Sequence, residues 1–433
     1  MNKREVGEKN VWTVIVCSFL GFWLVFSPFA LGYETRAMVW SDMLTGAIVM
    51  IAALFARKAN RCGYICLWMI CLLGLWLNFA PLGYPAKLSV EYLNDTVIGI
   101  LLVVFSLIIP GIPGKVEEKG HEIPPGWSYN PSAWSQRLPV IKLGIIGMFI
   151  ARYLASYQLG YISSVWDPVF GGGTKEVLTS SVASFFPVSD AGLGCFAYTL
   201  EVLLGLKGGQ GRWRTMPWMV VSFVFLVVPL GAVSILLVIL QPLIVGKWCF
   251  LCLCTAVSMM VMIVFAVDEL VAVVQFLYQS TKAGKGFWKT FFHGGDLPGT
   301  KDDTPCLLSE NSLLKIAAKS CEGVSFNYTL FLSAAIGVLF MLTPYLFSVD
   351  EKMASLDHLV GALIIVTSIL SFAEVIRALR FLNMVFGTIL IIGSWILGNM
   401  GMFQPLFGLL TIILALRKGR IVSTYGTFQK FIK

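Results

Sequence analysis

Residues 216–241 read MPWMVVSFVFLVVPLGAVSILLVILQ, without one Asp, Glu, Lys or Arg. Roughly 20 predominantly apolar residues in a helix cross a bilayer's hydrocarbon core, and a helix satisfies its own backbone hydrogen bonds there. Applied outward, the same test finds twelve runs, centred near residues 12–33, 40–56, 63–82, 95–112, 140–161, 190–206, 216–241, 248–278, 327–348, 355–376, 380–398 and 401–416. The expected fold is an all-α polytopic membrane protein with about 12 transmembrane helices. An even number of spans puts both ends of the chain on one side, and no run carries the small-residue cleavage site of a signal peptide. Composition agrees: of 433 residues, 57% are apolar and 13% charged, and mean hydropathy is +0.80. Soluble domains are about half apolar and about a quarter charged. A water-soluble globular enzyme, a disordered chain and a collagen-like chain are therefore excluded.

The formal charge of +8 would point to nucleic acid in a soluble protein. In a membrane protein its distribution matters more, because Lys and Arg are retained in short cytoplasmic loops. With the N-terminus inside, 25 of the 32 basic residues fall in cytoplasmic segments. The outer loops hold only Arg36, Lys87, Lys175, Lys247 and Lys352, and Lys142 and Arg152 lie within the fifth run. This asymmetry implies cytoplasmic N- and C-termini, with the lipid bilayer as a partner and nucleic acid excluded; the expected location is a bacterial inner membrane.

The first and last blocks of four runs share a pattern. Ser27-Pro28-Phe29, Asp42, Gly46, Gly74 and Trp76 correspond to Thr343-Pro344-Tyr345, Asp357, Gly361, Gly393 and Trp395, at offsets of 315 to 319 residues. The pattern resembles the bacterial SPW repeat, a short membrane module; the resemblance implies architecture and no particular chemistry. The expected organisation is an SPW-like four-helix block at 1–113, a cytoplasmic linker at 114–139, a central four-helix core at 140–279, a second cytoplasmic linker at 280–325, and a second SPW-like four-helix block at 326–433. Within the second linker, residues 286–292 and 313–318 read either as segments on the membrane surface or as ordinary solvated loop.

Location separates the ten cysteines. Cys306 and Cys321 fall in the second linker, where thiols stay reduced, and Cys62, Cys66 and Cys71 occur in the third run as small apolar filler. Cys249 and Cys252 differ. They lie in Gly246-Lys247-Trp248-Cys249-Phe250-Leu251-Cys252-Leu253-Cys254, at the outer, oxidising start of the eighth run. Residues three apart on a helix share a face, which permits a disulfide. The positive helix N-terminus and a neighbouring lysine favour a thiolate, the attacking form. Haem attachment would require a histidine where Leu253 stands. Zinc would require further ligands, and His121, His293 and His358 provide no cluster, so no metal is expected. Gly171, Gly172 and Gly173 lack the Lys-Ser/Thr that follows a phosphate loop.

Two further motifs give the pair a context: Val177-Leu178-Thr179-Ser180 in the long outer loop, and Gly192-Leu193-Gly194-Cys195-Phe196-Ala197-Tyr198-Thr199-Leu200-Glu201 in the sixth run. With Cys249-Phe250-Leu251-Cys252 they make residues 140–278 similar to the four-helix core of the vitamin K epoxide reductase family, membrane enzymes that pass electrons between thiols and quinones. The resemblance implies a membrane thiol-disulfide oxidoreductase. Cys252 would be the thiol nearest a quinone of ubiquinone or menaquinone type. Cys249 would exchange with a partner, expected to be a periplasmic thioredoxin-like thiol protein. The resemblance further implies quinone binding at Ser180, Asp190, Cys195 and Tyr198. From the residues alone, Asp190 with Ser189 reads equally as a helix N-cap, Tyr198 as packing, and Trp166, Phe170 and Trp248 either as rings that stack on a quinone or as an interfacial aromatic belt.

One departure stands out. Most members of that family carry a second cysteine pair in the loop before the serine, whereas Asp167-Pro168-Val169-Phe170-Gly171-Gly172-Gly173-Thr174-Lys175-Glu176 has none. Thr174 stands about where the second shuttle thiol would be, and Ala256 where a tyrosine is frequent. A partner must then attack the Cys249 and Cys252 pair directly. The alternative is a non-catalytic scaffold, or a quinone- or lipid-binding protein, that retains the fold. Few buried charges and no broken helices in matching positions oppose a transporter. Arg152 and Glu201 fall at matching depths and are expected to pair, since unpaired charge in the bilayer is costly. Asp268 and Glu269 should reach the inner interface and need no partner.

Overall fold

The computed structural model describes residues 11–56, 61–84, 86–108, 121–297, 301–303, 313–347, 349–397 and 402–432. Lys3, Arg4, Lys9, Arg57, Lys58, Lys115, Lys119 and Cys306 lie outside the described residues, as do the expectations that rest on them.

Each of the twelve apolar runs forms a helix. They are α1 (Val11–Ala30), α2 (Arg36–Ala56), α3 (Arg61–Gly83), α4 (Ser89–Ile108), α5 (Trp134–Gln158) and, after the short α6 (Gly173–Leu178), α7 (Asp190–Leu206), α8 (Pro217–Leu240) and α9 (Phe250–Lys282). Two short helices, α10 (Phe287–His293) and α11 (Leu313–Ser320), precede α12 (Tyr328–Met341), α13 (Glu351–Leu370), α14 (Leu382–Ile396) and α15 (Phe403–Leu416). Among the described residues nine helical segments are long and apolar enough to cross a membrane, α8 counted to Val245 and α14 from Glu374. The apolar α12 and α15 are shorter, and α7 has 17 residues. The protein is a multi-pass, all-α membrane protein. Its described strands form one antiparallel ribbon, His121–Ile123 with Lys301–Asp303.

The chain divides into two compact units. The first comprises Met1–Glu117, Met148–Trp166 and Leu178–Leu200, and the second Glu118–Gly147, Asp167–Val177 and Glu201–Lys433. In the first, α1 packs on α2, α2 on α3, α3 on α4, and α4 returns to α1. Lipid offers no hydrophobic drive between helices, so small residues that let backbones approach carry the association. A Cβ on Gly46 would lie 2.5 Å from the Gly21 carbonyl oxygen, and one on Gly99 2.6 Å from that of Gly74. The same ring, α12–α13–α14–α15, recurs in the second unit. There the close approaches are Gly337 with Gly361, at 2.6 Å, and Gly387 with Gly408, at 2.5 Å. On the second helix pair these contacts relate Gly74 to Gly387, not to the Gly393 that the sequence pattern selects.

With 33 residues, α9 is about 50 Å long, against a hydrocarbon core of about 30 Å. Its surplus C-terminal turns gather the segment around Trp127 and the tail around Tyr425 into one buried cluster with Trp213 and Phe276. Asp268 and Glu269 are buried in this region, and the expectation that they need no partner is overturned. The Arg212 guanidinium binds both oxygens of Glu269, at 2.6 and 2.5 Å, and Ser132 donates to the same carboxylate. Tyr129 donates to Asp268 at 2.5 Å. The segment before α5 folds back onto α9 and replaces the water that the charges would otherwise meet.

The expected pair of Arg152 and Glu201 is also corrected. Arg152 donates to Thr96, and both oxygens of Glu201 are buried without a hydrogen-bond partner among the described residues. The cause is register. Gly194 of α7 faces Ala151, so the level of Arg152 is passed seven residues before Glu201 is reached.

Candidate functional site

The chain leaves α8 through a π turn, Gln241–Val245, and reverses at Gly246, whose φ of 70° lies in the left-handed region that suits glycine. Cys249 then takes the N-cap of α9 in extended conformation, and its sulfur accepts the backbone N–H of Cys252 at 3.1 Å. Cys249 and Cys252 are joined by a disulfide across a Cα–Cα distance of 5.2 Å, within the ordinary range. Cys249 is wholly buried (0% exposed), and Cys252 is half-buried. The exchange role that the family resemblance implies for Cys249 therefore falls on the less accessible sulfur.

Several residues that sequence reasoning did not single out hold this turn. Buried Gln241 accepts the Cys249 N–H at 3.0 Å. A Cβ on Gly173 would lie 2.5 Å from the Trp248 carbonyl oxygen, so the third glycine of Gly171-Gly172-Gly173 lets the 167–177 loop sit directly against the residue before Cys249. Gly171 and Gly172 have φ values of 57° and 98°. Asp167 organises the loop. Its carboxylate accepts backbone N–H groups from Phe170 and Thr174, at 2.9 Å each. Desolvation is the largest single influence and raises the Asp167 pKa, but these bonds and one from Val169 together outweigh it and hold the carboxyl below its ordinary value. Lys247 and Glu176 form an exposed ion pair at 3.5 Å.

The Trp248 ring stacks on Phe170 with centroids 6.3 Å apart and meets the edge of His358 at 5.2 Å. Buried His358 bonds the Ile239 carbonyl through Nε2 at 3.2 Å. Thus α13 contributes to the surroundings of the cysteine pair, although sequence distance placed His358 in a remote block. The glycine triplet was the one visible signal for the loop, and it reads as a backbone contact instead of a phosphate cradle.

The remaining candidates, Ser180, Asp190, Cys195 and Tyr198, belong to the first unit. Ser189 caps α7, accepting the Gly192 N–H at 2.9 Å. That leaves Asp190 to accept from the Gln158 side chain, which also reaches the Leu178 carbonyl. Cys195 and Tyr198 are buried, and Ser180 is half-buried. Two cavities formed by described residues are an apolar one between α1 and α2, lined by Phe19, Phe22 and Leu54, and a polar one beside Tyr129, Asn130 and Gln210. The cysteine pair lines neither.

A multi-pass helical membrane protein with a Cys-x-x-Cys disulfide at a helix N-terminus is the class defined by this geometry. Residues 138–267 match the model of the vitamin K epoxide reductase family, and residues 11–109 match that of the SPW repeat domain. A search of curated proteins and a search of solved structures each found no match. The chain thus contains a segment that matches the vitamin K epoxide reductase family after one that matches the SPW repeat domain.

Proposed function

We propose that this protein couples a periplasmic Cys249 and Cys252 pair to a lipid quinone of ubiquinone or menaquinone type, in a bacterial inner membrane with both termini cytoplasmic. The observation that supports it most directly is the disulfide closing the first turn of α9. In the half-reaction with protein, a thiolate of a thioredoxin-like partner attacks the disulfide. The partner's second thiol displaces the mixed disulfide, so the partner leaves oxidised and both cysteines become thiols. In the other half-reaction the S–S bond re-forms, and two electrons and two protons pass to the quinone, giving quinol. The Cys252 N–H at the Cys249 sulfur, together with the N-terminus of α9, stabilises negative charge on Cys249.

Burial of Cys249 sets a condition on the exchange step. An incoming thiol reaches Cys249 only after a local movement at the start of α9, and Cys252 is the more exposed of the two residues. On the family resemblance alone, Ser180 and Asp190 hydrogen-bond a quinone oxygen, and Cys195 and Tyr198 line the site. Trp248 is already occupied by Phe170 and His358, so its ring is not assigned to the quinone. The test is quinone reduction by the purified protein supplied with a dithiol. Wild type is expected to turn over and Cys252→Ala to lose turnover altogether; equal rates in both overturn the assignment.

A second reading, a non-catalytic scaffold or quinone- or lipid-binding protein, draws on the same burial of Cys249 and on Thr174 standing where the family carries a loop cysteine. Under that reading Cys252→Ala traps no mixed disulfide with a thioredoxin-like protein. Under the first it does, through Cys249.

A further inference from the structure

The SPW repeat domain buries a pair of aspartates for which neither the cysteine chemistry nor the family matches provide a role. Asp42 is the seventh residue of α2 and Asp95 the seventh of α4, so both lie about 9 Å from the start of their helices. Both are completely buried, and their carboxyls face each other. Among the described residues, neither oxygen of Asp42 and only one of Asp95 accepts a well-formed hydrogen bond, the donor being Tyr33 at 3.4 Å, and Tyr33 and the Asn94 amide also lie against Asp42.

Glu91, one turn away on α4, is the opposite case. Its carboxylate accepts four bonds, from the N–H groups of Glu34, Thr35 and Lys87 and from the Thr35 hydroxyl, at 2.7 to 3.1 Å. Four donors suit an ionised group; the aspartates have no such supply. Among the described residues no cation compensates them, and Arg152 of α5 binds Thr96 instead. The other titratable groups facing the pair are Tyr33, Glu91 and Tyr161, all neutral or acidic. Two adjacent carboxylates buried together cannot both ionise at reasonable cost.

The second four-helix ring contains the same contact in another chemical form. Asp357, seventh in α13, is equally buried, and the Gln404 side chain of α15 donates to it at 3.0 Å. An offset of 309 residues relates both Gly99 to Gly408 and Asp95 to Gln404. Where one ring has an amide donor, the other has an acid, which can donate only when protonated.

We propose that Asp42 and Asp95 bind one proton between them, giving the SPW repeat domain a proton-binding site within the membrane where the second ring has a fixed amide-carboxylate contact. The test is infrared difference spectroscopy of the full chain in lipid nanodiscs, titrated from neutral to alkaline pH. Wild type should show a protonated-carboxyl C=O band at neutral pH that disappears on alkalinisation. Asp95→Asn, which copies the second ring's chemistry, should fold, lose that band and lose the accompanying alkaline drop in thermal midpoint; Asp42→Asn should lose the band as well. Glu201→Gln should leave it in place, and Gln404→Glu should add a second. A band unchanged in both aspartate variants overturns the proposal. So does a pair without a proton at neutral pH whose stability depends on sodium, which would mark an alkali-cation site.

Discussion

Burial makes the backbone N–H of Cys249 dependent on the one side-chain oxygen, that of Gln241, which accepts it. Gln241→Leu leaves the group unsatisfied, at a cost of about 1–3 kcal/mol, and should lower the thermal midpoint of the purified protein. Gly173→Ala puts a Cβ against the Trp248 carbonyl. The loop must then lift, and reduced Cys249 should be alkylated faster than in wild type. Cys249 and Cys252 were legible in the sequence because three-residue spacing at the start of an apolar helix has a chemical meaning by itself. Gln241 and Gly173 were not, because a glutamine at a helix end and a glycine in a loop acquire their roles only from what folds against them.

At the level of elements, the 167–177 loop depends on an ionised Asp167. Its folded-state pKa lies below the unfolded value, so the loop gains stability above about pH 4, the ordinary aspartate range, and loses it as pH falls through the lower folded value. Protection of Cys249 from alkylation should therefore fall in acid, and Asp167→Ala should show reduced protection already at neutral pH. At the far end of α9, Glu269→Gln leaves the Arg212 guanidinium buried without its counter-charge. A loss of about 3–5 kcal/mol is expected, read from the denaturation midpoint. The twelve helices were legible from hydropathy, since lipid imposes a length and a composition on anything that crosses it. Helix register was not: depths counted from the ends of apolar runs paired Arg152 with Glu201, whereas small-residue contacts such as Gly194 on Ala151 decide which levels meet. The short polar segments that cover Asp268 and Glu269 carry no periodic signal at all.

Across the molecule, the two four-helix rings share one neighbour order and one set of glycine contacts, yet they diverge at a buried position, Asp95 against Gln404. The second ring is also joined to the turn that carries the cysteine pair, because His358 of α13 touches Trp248 and the carbonyl of Ile239. His358→Ala is expected to lower the thermal midpoint and to expose Cys249 to alkylation while leaving the disulfide able to form. The repeat was visible in the sequence as a few matched Ser-Pro, Asp, Gly and Trp positions. This long-range contact was not, since nothing local in residues 351–370 distinguishes a helix that faces lipid from one that faces α8 and α9.

The most direct measurement is a thiol count by mass spectrometry after alkylation in native membranes equilibrated across a series of thiol-disulfide redox buffers. Two thiols, those of Cys249 and Cys252, should convert together between disulfide and alkylated forms, while Cys17, Cys62, Cys66, Cys71, Cys195, Cys254 and Cys321 keep one state throughout. A Cys249 and Cys252 pair that stays reduced in the most oxidising buffer, or that never opens in the most reducing one, contradicts a redox role for this protein.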